Sequence, residues 1–163
     1  MSTIKSTADY DILELDLHDQ FGHLIRRAQQ ISVSMFRETM QLDITPTQYA
    51  VLRMLQEVPG VDQLTLAGLV ALDKSTTADI SVRLEAKGWV RREVLPRGRR
   101  SLTLTTEGED VLTSMAPSVC ELRDKMLSKL SPEENIEFSR LLKKFVHLNN
   151  EFSRAPLQVF KAA

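Results

Sequence analysis

Residues 62–105 narrow the fold more than any other part of the chain. The run DQLTLAGLVALDKSTTADISVRLEAKGWVRREVLPRGRRSLTLT reads as a short helix, a tight turn, a longer helix and a β-hairpin with a basic tip. Between positions 74 and 100 it holds eight basic side chains (Lys74, Arg83, Lys87, Arg91, Arg92, Arg97, Arg99, Arg100) against three acidic ones (Asp79, Glu85, Glu93). That is a local excess of five positive charges in a chain of net charge −1, so the remainder carries six net negative charges. A basic excess confined to one helix and one hairpin is the footprint of a surface that meets a phosphate backbone.

The flanks are helical in pattern. From Ile12, apolar residues fall at Leu13, Leu17, Phe21, Leu24, Ala28, Ile31 and Met35, three or four apart. This predicts one long amphipathic helix ending near Met40 or Gln41. At about 1.5 Å per residue it would reach roughly 40 Å, longer than one small core needs. Thr45-Pro46-Thr47-Gln48 is a capping box with proline in the first turn, so a second helix runs to about Glu57, where Pro59-Gly60 ends it. Asp62 caps the short helix of the central stretch. Ala71-Leu72 turns the chain, and Asp73 or Ser75 caps the longer helix to about Lys87, with Gly88 as its stop. Trp89–Val94 and Ser101–Thr105 have strand character and are joined by a turn at Pro96 and Gly98.

Thr105 or Thr106 then caps a helix with Val111, Leu112, Met115, Val119 and Leu122 on its apolar face and a kink expected at Pro117. Ser131-Pro132-Glu133-Glu134 opens the last helix, which carries Phe138, Leu141, Leu142, Phe145, Leu148 and Phe152 and ends at Arg154-Ala155-Pro156.

Three helices followed by a hairpin make a winged helix-turn-helix. The fold class is mainly α with a small β-hairpin wing, flanked by long N- and C-terminal helices. The helix at about 74–87 has the size that fits a major groove, and the arginine-tipped wing would lie on the backbone or reach the minor groove. The flanking helices carry more apolar stripe than one small module can cover. Pairing two copies buries it and presents two such helices to a two-fold, pseudo-palindromic DNA site.

Other classes find little support. No run of about 18 apolar residues suggests a membrane span. The polar, acidic N-terminus MSTIKSTADYDILELDLHDQ has no apolar signal segment, which makes the cytoplasm the expected location. There is no Gly-rich phosphate loop, nucleophile elbow or metal-ligand spacing, so neither catalysis nor a resident cofactor is expected. The single cysteine, Cys120, reads as a half-buried helix residue with an inert thiol. His18 and His23 are five apart and share no helical face well, which leaves no metal site.

The segment LDKSTTADISVRLEAKGWVRREV, followed after the wing by LTLTTEG, resembles the MarR family of bacterial transcription regulators. The matching positions are Leu72 to Thr76, Leu84, Gly88, and Leu104-Thr105 with Gly108. The first-helix run Phe21 to Ala28 and the Leu42-to-Tyr49 entry to the second helix follow in the same order. The resemblance spans about residues 12–152. It implies a single MarR-like chain over 1–163, with dimerisation helices at 12–41 and 106–153 and the winged module at 45–105. It further implies a homodimeric DNA-binding regulator, usually a repressor, whose hold on DNA is weakened by a small aromatic acid bound between the dimerisation helices and the module. The alternatives are a helical protein-interaction module without DNA binding and a metal-responsive regulator of the same fold.

The DNA-facing set is then Lys74, Ser75, Thr76, Thr77, Asp79 and Arg83 on the helix, with Arg97, Arg99 and Arg100 on the wing. The chain departs from the family pattern in two places, the wing tip and the middle of the recognition helix. Pro96 and Gly98 stand where the wing usually has an aspartate and a second arginine, so the usual aspartate–arginine brace is not evident. Asp79 stands where a basic residue is frequent. It either accepts from a cytosine amino group or pairs with Arg83 four residues on, and that spacing favours the pair. A carboxylate effector wants cations near aromatic walls. His18, His23, Arg26, Tyr49 and Arg53 are the candidates, with Arg27 beside them, and His23 and Arg26 near Phe21 lead.

Overall fold

The computed structural model describes residues 16–159. Its element order is α1 (Phe21–Thr39), α2 (Pro46–Glu57), β1 (Val61–Asp62), α3 (Gln63–Leu69), α4 (Lys74–Ala86), β2 (Val90–Val94), β3 (Arg100–Leu104), α5 (Thr106–Leu127) and α6 (Pro132–Leu148). Side chains acting on the first free backbone amides set most of these boundaries. Thr45 and Gln48 form a reciprocal capping box at α2, and Ser131 and Glu134 form another at α6. Asp62 accepts from the amides of Leu64 and Thr65 at α3, and Thr105 accepts from that of Gly108 at α5. The wing strands β2 and β3 pair antiparallel from Val90↔Leu104 to Val94↔Arg100.

The first helix departs from its expected span. The start at Ile12 lies outside the described residues. Within them, Asp16 accepts from the amide of His18 and sets a separate 3-10 turn at Leu17–Asp19, and Gln20 is extended before α1 begins. A short acidic side chain that bonds its own downstream backbone competes with the helix in this way. Leu17 therefore stands in that turn rather than on the stripe, and α1 has 19 residues. Other differences are smaller. A third strand, β1, pairs with Ser101 and Leu102, giving the sheet order β1-β3-β2. α5 runs as one helix of 22 residues with Pro117 inside it. Cys120 is exposed rather than half-buried. No helix among the described residues is long and apolar enough to cross a membrane.

The core lies under the winged module. Val51, Leu52 and Leu55 of α2 meet Leu66 of α3, Leu84 of α4, Val90 of β2 and Leu102 of β3, all almost wholly buried. Phe36 and Met40 near the end of α1 and Leu112 and Met115 of α5 close it from the other side. Gly108 fixes how α5 leaves the wing, because a Cβ there would collide with the Trp89 carbonyl.

α6 is different: it contains no buried residue. Ile136, Phe138, Leu141, Leu142, Val146 and Leu148 are all exposed, as are Phe21, Leu24 and Ile31 on α1. Beyond α6 the chain turns back to the module. The Asn150 side chain brackets Leu157, donating to its carbonyl at 3.0 Å and accepting from its amide at 2.8 Å, and the Gln158 amide donates to the Gly68 carbonyl at 2.8 Å.

Candidate nucleic-acid interface

α4 is fixed at its first turn by Asp73. One carboxylate oxygen accepts from the Thr76 amide at 2.9 Å and the Ser75 hydroxyl at 2.7 Å, and the other accepts from the Thr76 hydroxyl at 2.7 Å. These bonds, the Thr76 amide foremost, hold the Asp73 carboxyl well below the usual carboxylate range. A depressed folded-state value means that the stabilisation is present above the ordinary carboxylate pKa and is lost as the pH falls from there toward the folded value. Asp73→Ala is expected to lower Tm by about 3 °C at neutral pH and to weaken DNA binding by loosening α4. Thermal melts at neutral and acidic pH check this, since the gap between variant and parent should narrow in acid.

The outward face of α4 presents Ser75, Asp79, Val82 and Arg83, whereas Thr77, Ile80, Ser81 and Leu84 point into the core. Thr77 is therefore removed from the DNA-facing set. It is wholly buried, and its hydroxyl donates to the Asp73 carbonyl at 2.9 Å. Thr76 is half-buried, with its hydroxyl committed to the cap. The favoured pairing of Asp79 with Arg83 does not form: both side chains are exposed, and among the described residues neither makes an ion pair. Val82, 49% exposed, was not among the expected contacts. Its spacing from Ser75 and Asp79 marks it as a member of their face.

The charges of the basic stretch divide into two groups. Lys87 bonds Asp43 at 2.9 Å and lies over the Trp89 ring, Arg91 meets Glu93 at 3.3 Å, and Arg92 Nε donates to Glu85 at 2.7 Å. The Arg92 bond holds the Glu85 carboxyl below its ordinary value. Lys74, Arg83, Arg97, Arg99 and Arg100 make no ion pair among the described residues. Five cations of the stretch are thus without an ion pair among the described residues, all on α4 or the wing. Lys74, Arg99 and Arg100 line one cleft of about 330 Å³ together with Asp62 and Gln63 at the start of α3.

The wing tip is held by backbone. Pro96–Gly98 forms a 3-10 turn, the Leu95 amide donates to the Arg99 carbonyl at 2.7 Å, and Arg97 sits in the left-handed region at φ 65°. Arg97 meets Gly98, which has φ 73°, at a point where the chain must reverse tightly. No aspartate–arginine brace is present there among the described residues.

The candidate effector residues fall in two places. His18 and His23 stack edge to face at 5.4 Å, Arg26 lies 3.4 Å from His23 Nδ1, and Phe21 packs edge to face on Phe145 of α6 at 5.5 Å. Partial desolvation, then the neighbouring Arg26, lower the His23 pKa, which favours the neutral ring. Tyr49 instead packs on Phe36, 6.1 Å between ring centres. Phe36 is thirteen residues along α1 from His23, roughly 20 Å at the helical rise. Arg53 is tied to Glu57 at 3.0 Å and to Gln56. The single chain thus gathers His18, His23 and Arg26 but not Tyr49 or Arg53. No three His, Cys, Asp or Glu side chains among the described residues converge as a metal site would require.

The chain matches the sequence profile of the MarR family over residues 44–102. It is 32% identical over 133 residues to the transcriptional regulator HosA of Escherichia coli, a match covering 80% of this chain and 98% of that one. The structure of Bordetella bronchiseptica BpsR, whose DNA binding is regulated by 6-hydroxynicotinic acid, superposes with a TM-score of 0.76 at 26% identity, over 82% of this chain and 98% of that one. A cysteine-to-serine mutant of Escherichia coli MarR complexed with operator DNA superposes with a TM-score of 0.73 at 26% identity, over 81% of this chain and 99% of that one. Exposed basic side chains on a helix and wing, set in this fold and these relationships, identify the chain as a member of the MarR family and a DNA-binding transcriptional regulator.

Proposed function

We propose that the protein is a homodimeric repressor that binds a pseudo-palindromic operator and releases it on binding a small aromatic carboxylate. In this reading Ser75, Asp79, Val82 and Arg83 enter the major groove, with Thr76 at its edge. Lys74, Arg97, Arg99 and Arg100 hold the backbone or the adjacent minor groove. Helices α1, α5 and α6 form the dimer and the 45–105 module reads DNA.

The observation that carries the reading is the apolar face of α6, exposed along its whole length and continuous with α1 through the Phe21–Phe145 contact. A second copy laid on that face satisfies it and places two copies of α4 in one complex.

The same contact adjoins His23 and Arg26. Arg26 supplies the fork that holds a carboxylate, neutral His23 can exchange a hydrogen bond with a ring hydroxyl, and the phenylalanines supply an apolar wall. The cluster is open in the single chain, and a partner's helices would enclose it. Support for the ligand class comes from BpsR, which responds to a hydroxylated aromatic acid.

The test is a thermal-shift series with 6-hydroxynicotinic acid and other hydroxylated aromatic carboxylates. A ligand at a hundred times its Kd should add about 2.7 kcal/mol of stability and release operator DNA. Arg26→Ala should abolish both responses while leaving DNA affinity without ligand unchanged. A response that survived in Arg26→Ala would move the effector site elsewhere.

A further inference from the structure

We infer that Asp79 is a specificity-determining residue that selects cytosine at one position in each half-site by accepting a hydrogen bond from its 4-amino group. The inference rests on the assignment of α4 to the major groove. Three observations support it.

Asp79 lies on the outward face of α4, one turn beyond Ser75 and in line with Val82 and Arg83. It makes no side-chain hydrogen bond or ion pair among the described residues, whereas Glu85 and Glu93, the two other acids between 74 and 100, are each bonded to an arginine. Between 74 and 100, the acid left without a partner among the described residues is therefore the one on the outward face of α4. Finally, Arg83 is close enough in sequence to pair with Asp79 at i+4 and does not.

An uncompensated carboxylate brought against a polyanion weakens binding to any duplex unless it meets a donor. In the major groove the donors on base edges are the amino groups of cytosine and adenine. On an A·T pair the amino group stands between two acceptors, N7 of adenine and O4 of thymine. On a G·C pair the cytosine amino group has an acceptor, guanine O6, on one side only. The second carboxylate oxygen is therefore repelled less at cytosine. Guanine and thymine edges offer acceptors alone and are rejected.

The experiment is selection from a pool of duplexes with a randomised centre, run with the full chain, Asp79→Ala and Asp79→Asn. The side chain is exposed and unbonded, so both variants keep the fold. The parent chain is expected to prefer cytosine roughly tenfold at one position per half-site. Asp79→Ala should lose that preference there and nowhere else, and Asp79→Asn should shift it toward adenine, whose N6 and N7 match an amide. An unchanged base profile in Asp79→Ala would overturn the inference. So would a uniform gain in affinity for all sequences, since the carboxylate would then only repel DNA. A pool left random by the parent chain would overturn the groove assignment itself, and the role of Asp79 with it.

Discussion

Replacing Arg97, Arg99 and Arg100 together with alanine is expected to weaken binding to every duplex, whatever its sequence, and to flatten the salt dependence. Each phosphate contact contributes about 0.9 to the log–log slope of affinity against salt, so loss of three contacts should reduce the slope by close to three. The effect should be large because these arginines form no ion pair among the described residues. Arg91 and Arg92, a few residues away, are already bonded to Glu93 and Glu85, so alanine at either should change the slope little. Filter binding or fluorescence anisotropy across a salt series measures both. An unchanged slope in the triple variant would remove the wing from the interface. Equal effects from Arg91 would show that ion pairing does not separate the two groups.

Placing charge on the open face of α6, with Leu141→Glu and Leu148→Glu together, is expected to separate the dimer into single chains and to cut operator affinity by about 10²–10⁴-fold. That is the gain usual when a second binding unit is tethered to the first. Neither side chain is buried within the chain: Leu141 is 48% and Leu148 61% exposed. The substitution therefore removes little internal packing, and helix content should persist while sedimentation or light scattering reports half the mass. A dimer that survived the double substitution would place the subunit interface elsewhere.

Much of the fold could be read from the chain because its boundaries are local. The capping boxes at Thr45 and Ser131, the Asp62 cap and the turn at Pro96 and Gly98 each involve residues three or four apart, and each lies where the sequence pattern put it. What could not be read depends on contacts distant in sequence or on competing local bonds. Strand β1 has two residues, too few for an alternation, and exists because Leu102 and Ser101 offer an open edge. The early break before α1 comes from the Asp16 side chain taking a backbone amide that a continuous helix would have used internally.

The same division holds for the site. Charge pattern singles out the basic stretch as a whole, but it does not show which of its cations are ion-paired. That depended on Asp43, which is 44 residues from Lys87, and on the cross-element bond between Arg92 and Glu85. Helical spacing alone would have turned Thr77 inward with Ile80 and Ser81; the run of hydroxyl residues at the helix start obscured it. The pairing of Asp79 with Arg83 has the right spacing, yet among the described residues neither side chain makes an ion pair. The effector candidates on α1 and α2 were grouped by residue type, and the helix length between them keeps His23 and Tyr49 apart.

The measurement that bears most directly on the account is the affinity of the purified chain for its own upstream DNA as a function of salt concentration. A shift is expected at nanomolar protein with two chains per site, and a log–log slope steep enough to report several phosphate contacts. Absence of binding at low salt, or binding that salt leaves unchanged, would contradict it.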